Sequence, residues 1–431
     1  MRLKRLSPRR MFVLGFFGVI MIGTFLLMLP EASATEEPLG FADALFMSTS
    51  CVCVTGLATI DPGTGLTFFG QLVMAVLIQI GGLGITSIGV MVIMAAGGKF
   101  SINKQKLVKE SLNLSSSKGL IDVVKSVSYV TMLFESAGVI CAFLSYGSLF
   151  PAADALWKSV FHSVAAFNNA GFDLMGDFKS LTDFHGNIWL CVTTTGLIIF
   201  GGLGFFVIKE LTSFKHPKTW TLHTKVVLCT TVSLIIAGTL MLKATEGSAI
   251  TWLEAYFQSV SARTAGFATI PMGEVSKAGL LVIMILMFIG ASPGSTGGGV
   301  KTTTFFVLVK KSLSTVLNGH CSAFKRQIPD SSIMKAFMVF NLALVTILVS
   351  TFAVCMLEPD FTFEQILFEV VSGFATTGFS TGITPELTQW SKIIISATMF
   401  VGRVGPLTLA TIWLSRAQSA VRYSQEDVNI G

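Results

Sequence analysis

Charge is what this sequence has least of. Only 13% of its 431 residues are Asp, Glu, Lys or Arg, while 52% are hydrophobic. Soluble domains carry about 25% charged residues, so an ordinary water-facing fold is excluded and a multi-pass membrane protein is the simple reading. Cysteine supplies no framework. The seven (Cys51, Cys53, Cys141, Cys191, Cys229, Cys321, Cys355) are scattered, mostly in apolar stretches, with no C-x-x-C and no zinc spacing. They read as small buried hydrophobes. H-E-x-x-H is absent, as are paired carboxylates within apolar runs, which argues against a membrane enzyme. The longest polar insertions, 97–121 and 310–332, are too short to bury a core of their own. The formal net charge of +6 is spread between apolar runs and forms no single patch, which argues against a nucleic-acid partner.

Long apolar runs are what is there. They fall near 11–29, 66–96, 123–149, 187–208, 224–243, 278–309, 333–357 and 391–414, eight in all. The first mimics a signal peptide, but its run of about 19 apolar residues exceeds the usual 7–15 and reads as a membrane helix. Between the members of successive pairs lie shorter, half-apolar segments that suit re-entrant helices in a lipid bilayer.

These short segments end alike, in "VTGL", "NAGF", "TAGF" and "TTGF". Aligned on Gly56, Gly171, Gly266 and Gly378, the residue ten places earlier is Phe46, Phe161, Tyr256 or Phe368. A glycine-rich break follows each: "IGGLGI", "FGGLGF", "IGASPG" and "VGRVGP". From the loop glycine to the first glycine of the break the separation is 25, 30, 24 and 24 residues. Four such pairs in matching order describe one unit repeated four times. The repeats are 11–96, 122–210, 223–312 and 332–415, flanked by termini at 1–10 and 416–431. The fold class is therefore all-α integral membrane protein, with eight transmembrane helices arranged as four outer helix–pore helix–inner helix repeats around a central pore. Lysine and arginine gather in the arm before unit one, in the connections between units and in the tail, which places both termini in the cytoplasm. The opposite connections are rich in Asp and Glu, and a negative mouth concentrates cations.

Each short helix stops at its loop in mid-membrane, and a helix C-terminus carries roughly −0.5 charge. Four together favour a cation, and the loop carbonyls can replace its hydration shell. Candidate filter residues are Val54, Thr55, Gly56, Asn169, Ala170, Gly171, Thr264, Ala265, Gly266, Thr376, Thr377 and Gly378. Thr55, Asn169, Thr264 and either Thr376 or Thr377 can add side-chain oxygens. The plain alternative is four helix C-caps ending in glycine.

The motifs "CVCVTGL", "FNNAGFD", "ARTAGF", "FATTGFS", "GASPGSTGGGVKTTT" and "VGRVGP" resemble the Trk/Ktr/HKT superfamily of potassium transporters. Within it they are most like the membrane subunit of Ktr-type bacterial uptake systems. The likeness covers nearly the whole chain. It implies potassium-selective uptake across the bacterial cytoplasmic membrane, with Gly56, Gly171, Gly266 and Gly378 as selectivity residues. Sodium-favouring relatives carry serine at the first of these positions. It implies a homodimer on a cytoplasmic ring of nucleotide-binding regulatory subunits, with the tail helping to hold the dimer. The chain opens directly on its first unit, as Ktr subunits do. Whether sodium is co-transported, activates or is irrelevant stays open, and a sodium- or proton-coupled alternating-access carrier is the competing function.

The third inner run breaks into "IGASPGSTGGGVKTTTF". Non-helical backbone at membrane depth survives only inside protein or beside water. The resemblance makes this a gate: Ala291, Ser292, Pro293, Gly294, Ser295, Thr296, Gly297, Gly298, Gly299 and Lys301. "GSTGGGVKT" is not a phosphate-binding loop, since Val300 separates Gly299 from Lys301 and no βαβ unit surrounds it, so no nucleotide is expected on this chain. Lys301 and Arg403 are costly at membrane depth and need a cavity or carbonyl partners. Arg403 reads equally as a clamp on carbonyls or as a charge below the filter. Glu135 reads as a helix-packing residue and His162 as a core histidine.

Overall fold

The computed structural model describes residues 8–35, 37–84, 120–212, 216–317 and 319–411. The basic arm at 1–7, the second half of the first inner run with the lysines of 99–118, and the tail from 412 lie outside the described residues.

Unit one comprises α1 (Pro8–Leu27), α2 (Phe41–Cys53) and α3 (Phe68–Leu83). Unit two comprises α4 (Leu120–Tyr146), α5 (Ala152–Asn168), α6 (Ile188–Leu203) and α7 (Phe205–Thr212). Unit three comprises α8 (Leu222–Glu246), α9 (Trp252–Ser261), α10 (Lys277–Phe288) and α11 (Thr302–Val316). A small hairpin, β1 (Ser322–Ala323) and β2 (Arg326–Gln327), leads to unit four: α12 (Asp330–Leu357), α13 (Phe363–Ala375), α14 (Gln389–Val404) and α15 (Pro406–Thr411).

Among the described residues, four helices are long and apolar enough to cross a bilayer alone: α1, α4, α8 and α12. Their outward faces expose large apolar side chains, including Phe25, Ile140, Ile236 and Phe352, as lipid contact requires. The inner helices are shorter than the sequence runs suggested. Helices α3, α6 and α14 have 16 residues each and α10 has 12, against about 20 for a span. Three of them end on a glycine: Gly84, Gly204 and Gly405, with φ of 80°, 92° and 93°. That backbone region is open mainly to glycine. At Gly204 the chain turns by 101° into α7, so the run at 187–208 is two helices and not one.

Side-chain packing repeats with the units. A glycine of the outer helix admits a serine of the short helix and a leucine of the inner one: Gly23 with Ser48 and Leu77, Gly138 with Ser163 and Leu197, Gly238 with Ser259 and Leu286. Each serine donates to an outer-helix carbonyl, at 2.7, 2.7 and 2.9 Å. In the inner helices, Gly81, Gly201 and Gly402 press on the carbonyls of Val52, Phe167 and Phe374, each four residues before its loop glycine. Gly201 is thereby the counterpart of Gly81, and the extra residues of unit two lie in the loop between α5 and α6. Gly290 does not follow the pattern; it rests on Gly298 of its own loop.

The units close into a ring. Inner helix α3 packs on α5, α6 on α9, α10 on α13, and α14 returns to α2. An ion pair at 2.8 Å between Lys392 and Asp43 fastens that last contact.

Candidate functional site

The loops after the short helices meet at the centre of this ring. Each leaves its helix through a residue of positive φ and reaches its glycine two residues later: Val54 and Gly56, Asn169 and Gly171, Thr264 and Gly266, Thr376 and Gly378. The residue between them is not in that region, so successive peptide planes alternate in sense. Val54, Asn169 and Thr376 are the left-handed C-caps of α2, α5 and α13, with φ of 58°, 59° and 53°. Holding a non-glycine residue there costs of order 1 kcal/mol or more, and such residues persist where the surroundings fix them.

The four glycines touch in cyclic order. A Cβ added to Gly56 would come within 3.0 Å of the Ala170 carbonyl, one on Gly171 of Ala265, one on Gly266 of Thr377, and one on Gly378 of Thr55. No side chain fits at these four positions without moving the neighbouring strand. All twelve loop residues picked from the sequence are brought together. Aligned on the glycines, Thr55 stands with Ala170, Ala265 and Thr377, and Val54 with Asn169, Thr264 and Thr376. The hydroxyls of Thr55, Thr376 and Thr377 are buried with no hydrogen-bond partner among the described residues. Buried polar atoms without protein partners ordinarily face water or an ion.

Serine anchors went unnoticed in the sequence. Ser50 accepts from the N–H of Gly56 and Ser372 from that of Gly378, both at 3.1 Å. In unit three Ser261 donates to the carbonyl of Phe267 at 2.6 Å. The signal was a serine six residues before the glycine in units one and four.

Below the loops lies the broken segment. Helix α10 ends at Phe288, and the chain folds back on itself with Gly290 N–H donating to the Val300 carbonyl at 2.8 Å. Ser292 and Thr296 N–H groups bond the carbonyls of Gly202 and Gly201. Thr296 Oγ1 reaches Phe167 O at 3.3 Å and Asn169 at 3.4 Å. Gly297 lies against Thr264 and Gly298 against Thr376. The segment therefore sits directly against the inner ends of three of the four loops.

Lys301 and Arg403 are both spent on carbonyls. Lys301 donates to Gly297 and Gly298 at 2.7 and 3.2 Å, cross-bracing the segment. Arg403 donates to Thr296 O of the segment and to Gly81 O of α3. It joins three units. Glu135 and Gln79 share the amide of Asn168, tying α4, α3 and α5 together. His162 lies wholly buried, bonded to Thr194 at 2.9 Å.

At the outer rim Asp61 accepts from the N–H groups of Gly63, Thr64 and Phe178. Asp173, two residues beyond Gly171, accepts from Met175 N–H at 2.9 Å. Burial pushes the Asp173 carboxyl up to about 6; the Met175 bond opposes this, Asp61 adds to it, and Lys158 opposes it.

The profile of the TrkH family, described as a cation transport protein, matches residues 15–245 and 214–420. The chain belongs to this family. TrkH-family relatives at full length include the Ktr system potassium uptake protein B of Bacillus subtilis, 37% identical over 99% of this chain and 97% of its own. The potassium/sodium uptake protein NtpJ of Enterococcus hirae is 36% identical over 99% and 98%. The crystal structure of the potassium transporter TrkH from Vibrio parahaemolyticus superposes with a TM-score of 0.74, covering 96% of this chain and 86% of that one at 17% identity. The chain is thus a Ktr-like, multi-pass member of the TrkH family, and its relatives are transporters, not enzymes.

Proposed function

We propose that this chain takes up potassium through a pore on the axis of the four-unit ring. The observation that carries the reading is the closed cycle of Gly56, Gly171, Gly266 and Gly378, each against the next loop's carbonyl. Alternating backbone sense lets successive carbonyls line one path. Four helix C-termini aimed at that path favour a cation, and carbonyl oxygens substitute for its water shell. The relatives named for potassium and for potassium and sodium support the same cargo. Gly56 in place of serine favours potassium over sodium.

In this reading the four inner runs and the four long outer helices make up eight spans. The segment at 291–301 is the gate, held shut by Arg403, Lys301 and Thr296. The connections bearing Lys209, Lys218, Lys310, Lys311, Lys325 and Arg326 face the cytoplasm, where regulatory subunits of the system dock, and two copies form a dimer. Sodium is an activator or a companion ion, and its role is read from the same experiment.

The test is net potassium and sodium influx in bacteria lacking potassium uptake, with and without a regulatory ring subunit. Gly56→Ser is expected to lower the potassium-to-sodium ratio. Deleting 294–299 is expected to raise flux and remove its dependence on the ring. A ratio untouched by Gly56→Ser would show that the four glycines are helix caps and no filter.

A further inference from the structure

The filter loops are not held alike. Loops one and two are fastened by acids within their own outer segments, Asp61 and Asp173. Loop four is fastened from behind, by a carboxylate on its short helix. Glu369, nine residues before Gly378, is 1% exposed. Its Oε1 accepts from Ser380 Oγ at 2.6 Å, Thr381 N–H at 2.9 Å and Thr381 Oγ1 at 3.3 Å. Its Oε2 accepts from Thr384 Oγ1 at 2.7 Å. Among the described residues no cation pairs with it. A buried carboxylate is costly, and here hydroxyls and one amide alone compensate it.

Unit three has a neutral counterpart. Gln258, eight residues before Gly266, lies behind its loop. With its amide oxygen toward the backbone it accepts from Thr269 N–H at 2.8 Å and Ile270 N–H at 3.3 Å. Thr269 and Thr381 are both three residues past their glycine. In units one and two the corresponding places hold Met47 and Ser48, and His162 and Ser163. Those serines bond the outer helices, and His162 bonds Thr194.

We infer that Glu369 is a positioning residue for selectivity: by clasping 380–384 it sets the outer end of the fourth filter strand, as Gln258 does for the third. The inference rests on the filter reading above. The reach of the side chain does the work, not its charge, because a neutral amide performs the same task in unit three. Oε1 of a glutamine could keep the three bonds of the acid's Oε1, and its NH2 could donate to Thr384.

Two substitutions separate reach from charge. Glu369→Asp keeps the charge and shortens the side chain; Glu369→Gln keeps the length and removes the charge. The measurement is the potassium-to-sodium influx ratio of the full-length transporter in cells, which does not depend on how much protein folds. Glu369→Asp is expected to lower the ratio about tenfold, the equivalent of losing a buried hydrogen bond to a charged group. Thr384→Val is expected to shift it in the same direction, and Glu369→Gln to stay near the native value. If Glu369→Gln falls as far as Glu369→Asp, reach without charge does not hold the loop and the inference is overturned; so it is if neither moves. Gly56→Ser runs alongside. A shift there with none for Glu369→Asp removes the clasp alone, whereas no shift there removes the filter and the clasp with it.

Discussion

Polar side chains around the ring divide by what they face. Ser50 and Ser372 are spent on the loop backbone, whereas the hydroxyls of Thr55, Thr376 and Thr377 have no partner among the described residues. Asp173 stands between the two groups. It is fixed by one N–H at the outer end of loop two, yet burial pushes its carboxyl up to about 6. It is therefore neutral below that pH and charged above it. A charged Asp173 adds to the negative field that gathers cations at the mouth. Potassium uptake at limiting external potassium should decline as the outside pH falls through about 6, and Asp173→Asn should flatten that part of the profile. An identical decline in the asparagine variant would assign the effect to another group. The stability contribution has the opposite sense. The folded carboxyl holds its proton more tightly than the unfolded one, which titrates near about 3.9. The group's stabilisation is present at low pH and is lost as pH rises from about 4 through the folded value.

Helices explain how much could be read beforehand. The outer helices and the four loops were legible because both leave local marks: 20-odd apolar residues in a row, or a glycine after a threonine or asparagine at the end of a short helix. The glycine breaks were legible too, but their effect was not. Gly204 and Gly405 end helices whose apolar composition continues past them into further helices, so hydropathy alone runs two elements together. Glu369, Gln258 and the carbonyl partners of Arg403 were invisible, because those contacts join residues that no sequence period relates. Contacts between elements are also where a sharp test lies. Gly402 presses its Cα on the Phe374 carbonyl at the end of α13. Gly402→Ala should lower thermal stability in detergent by about 1–3 kcal/mol, as overpacking does. Gly196 lies in α6 with open space around it, and Gly196→Ala should be neutral or gain up to about 1 kcal/mol from helix propensity. Equal tolerance at the two sites would mean that α14 does not rest on α13 in this way.

For the whole molecule, a linear chain of four units bent into a ring has a single seam, between the last unit and the first. Here the seam is α14 on α2, Gly378 on the Thr55 carbonyl, and Lys392 on Asp43 at 2.8 Å across 349 positions of sequence. Contacts of such separation form only after long stretches of chain have been ordered, and the ring stays open until they do. The ion pair is asymmetric. The Lys392 side chain is 10% exposed and that of Asp43 is 29% exposed. Removing the acid leaves a nearly buried ammonium without its partner, which costs more than the pair itself contributes. Asp43→Asn should therefore destabilise the folded transporter by about 1–3 kcal/mol, the penalty for an unmet buried polar group. Adding Lys392→Met should restore part of that loss, because a methionine fills the same space without needing a partner. Thermal unfolding of the two single variants and the double variant in detergent gives the coupling. Strictly additive losses would show that the pair does not fasten the seam, and that the ring is closed by the backbone contact between Gly378 and Thr55 and the packing of α14 alone.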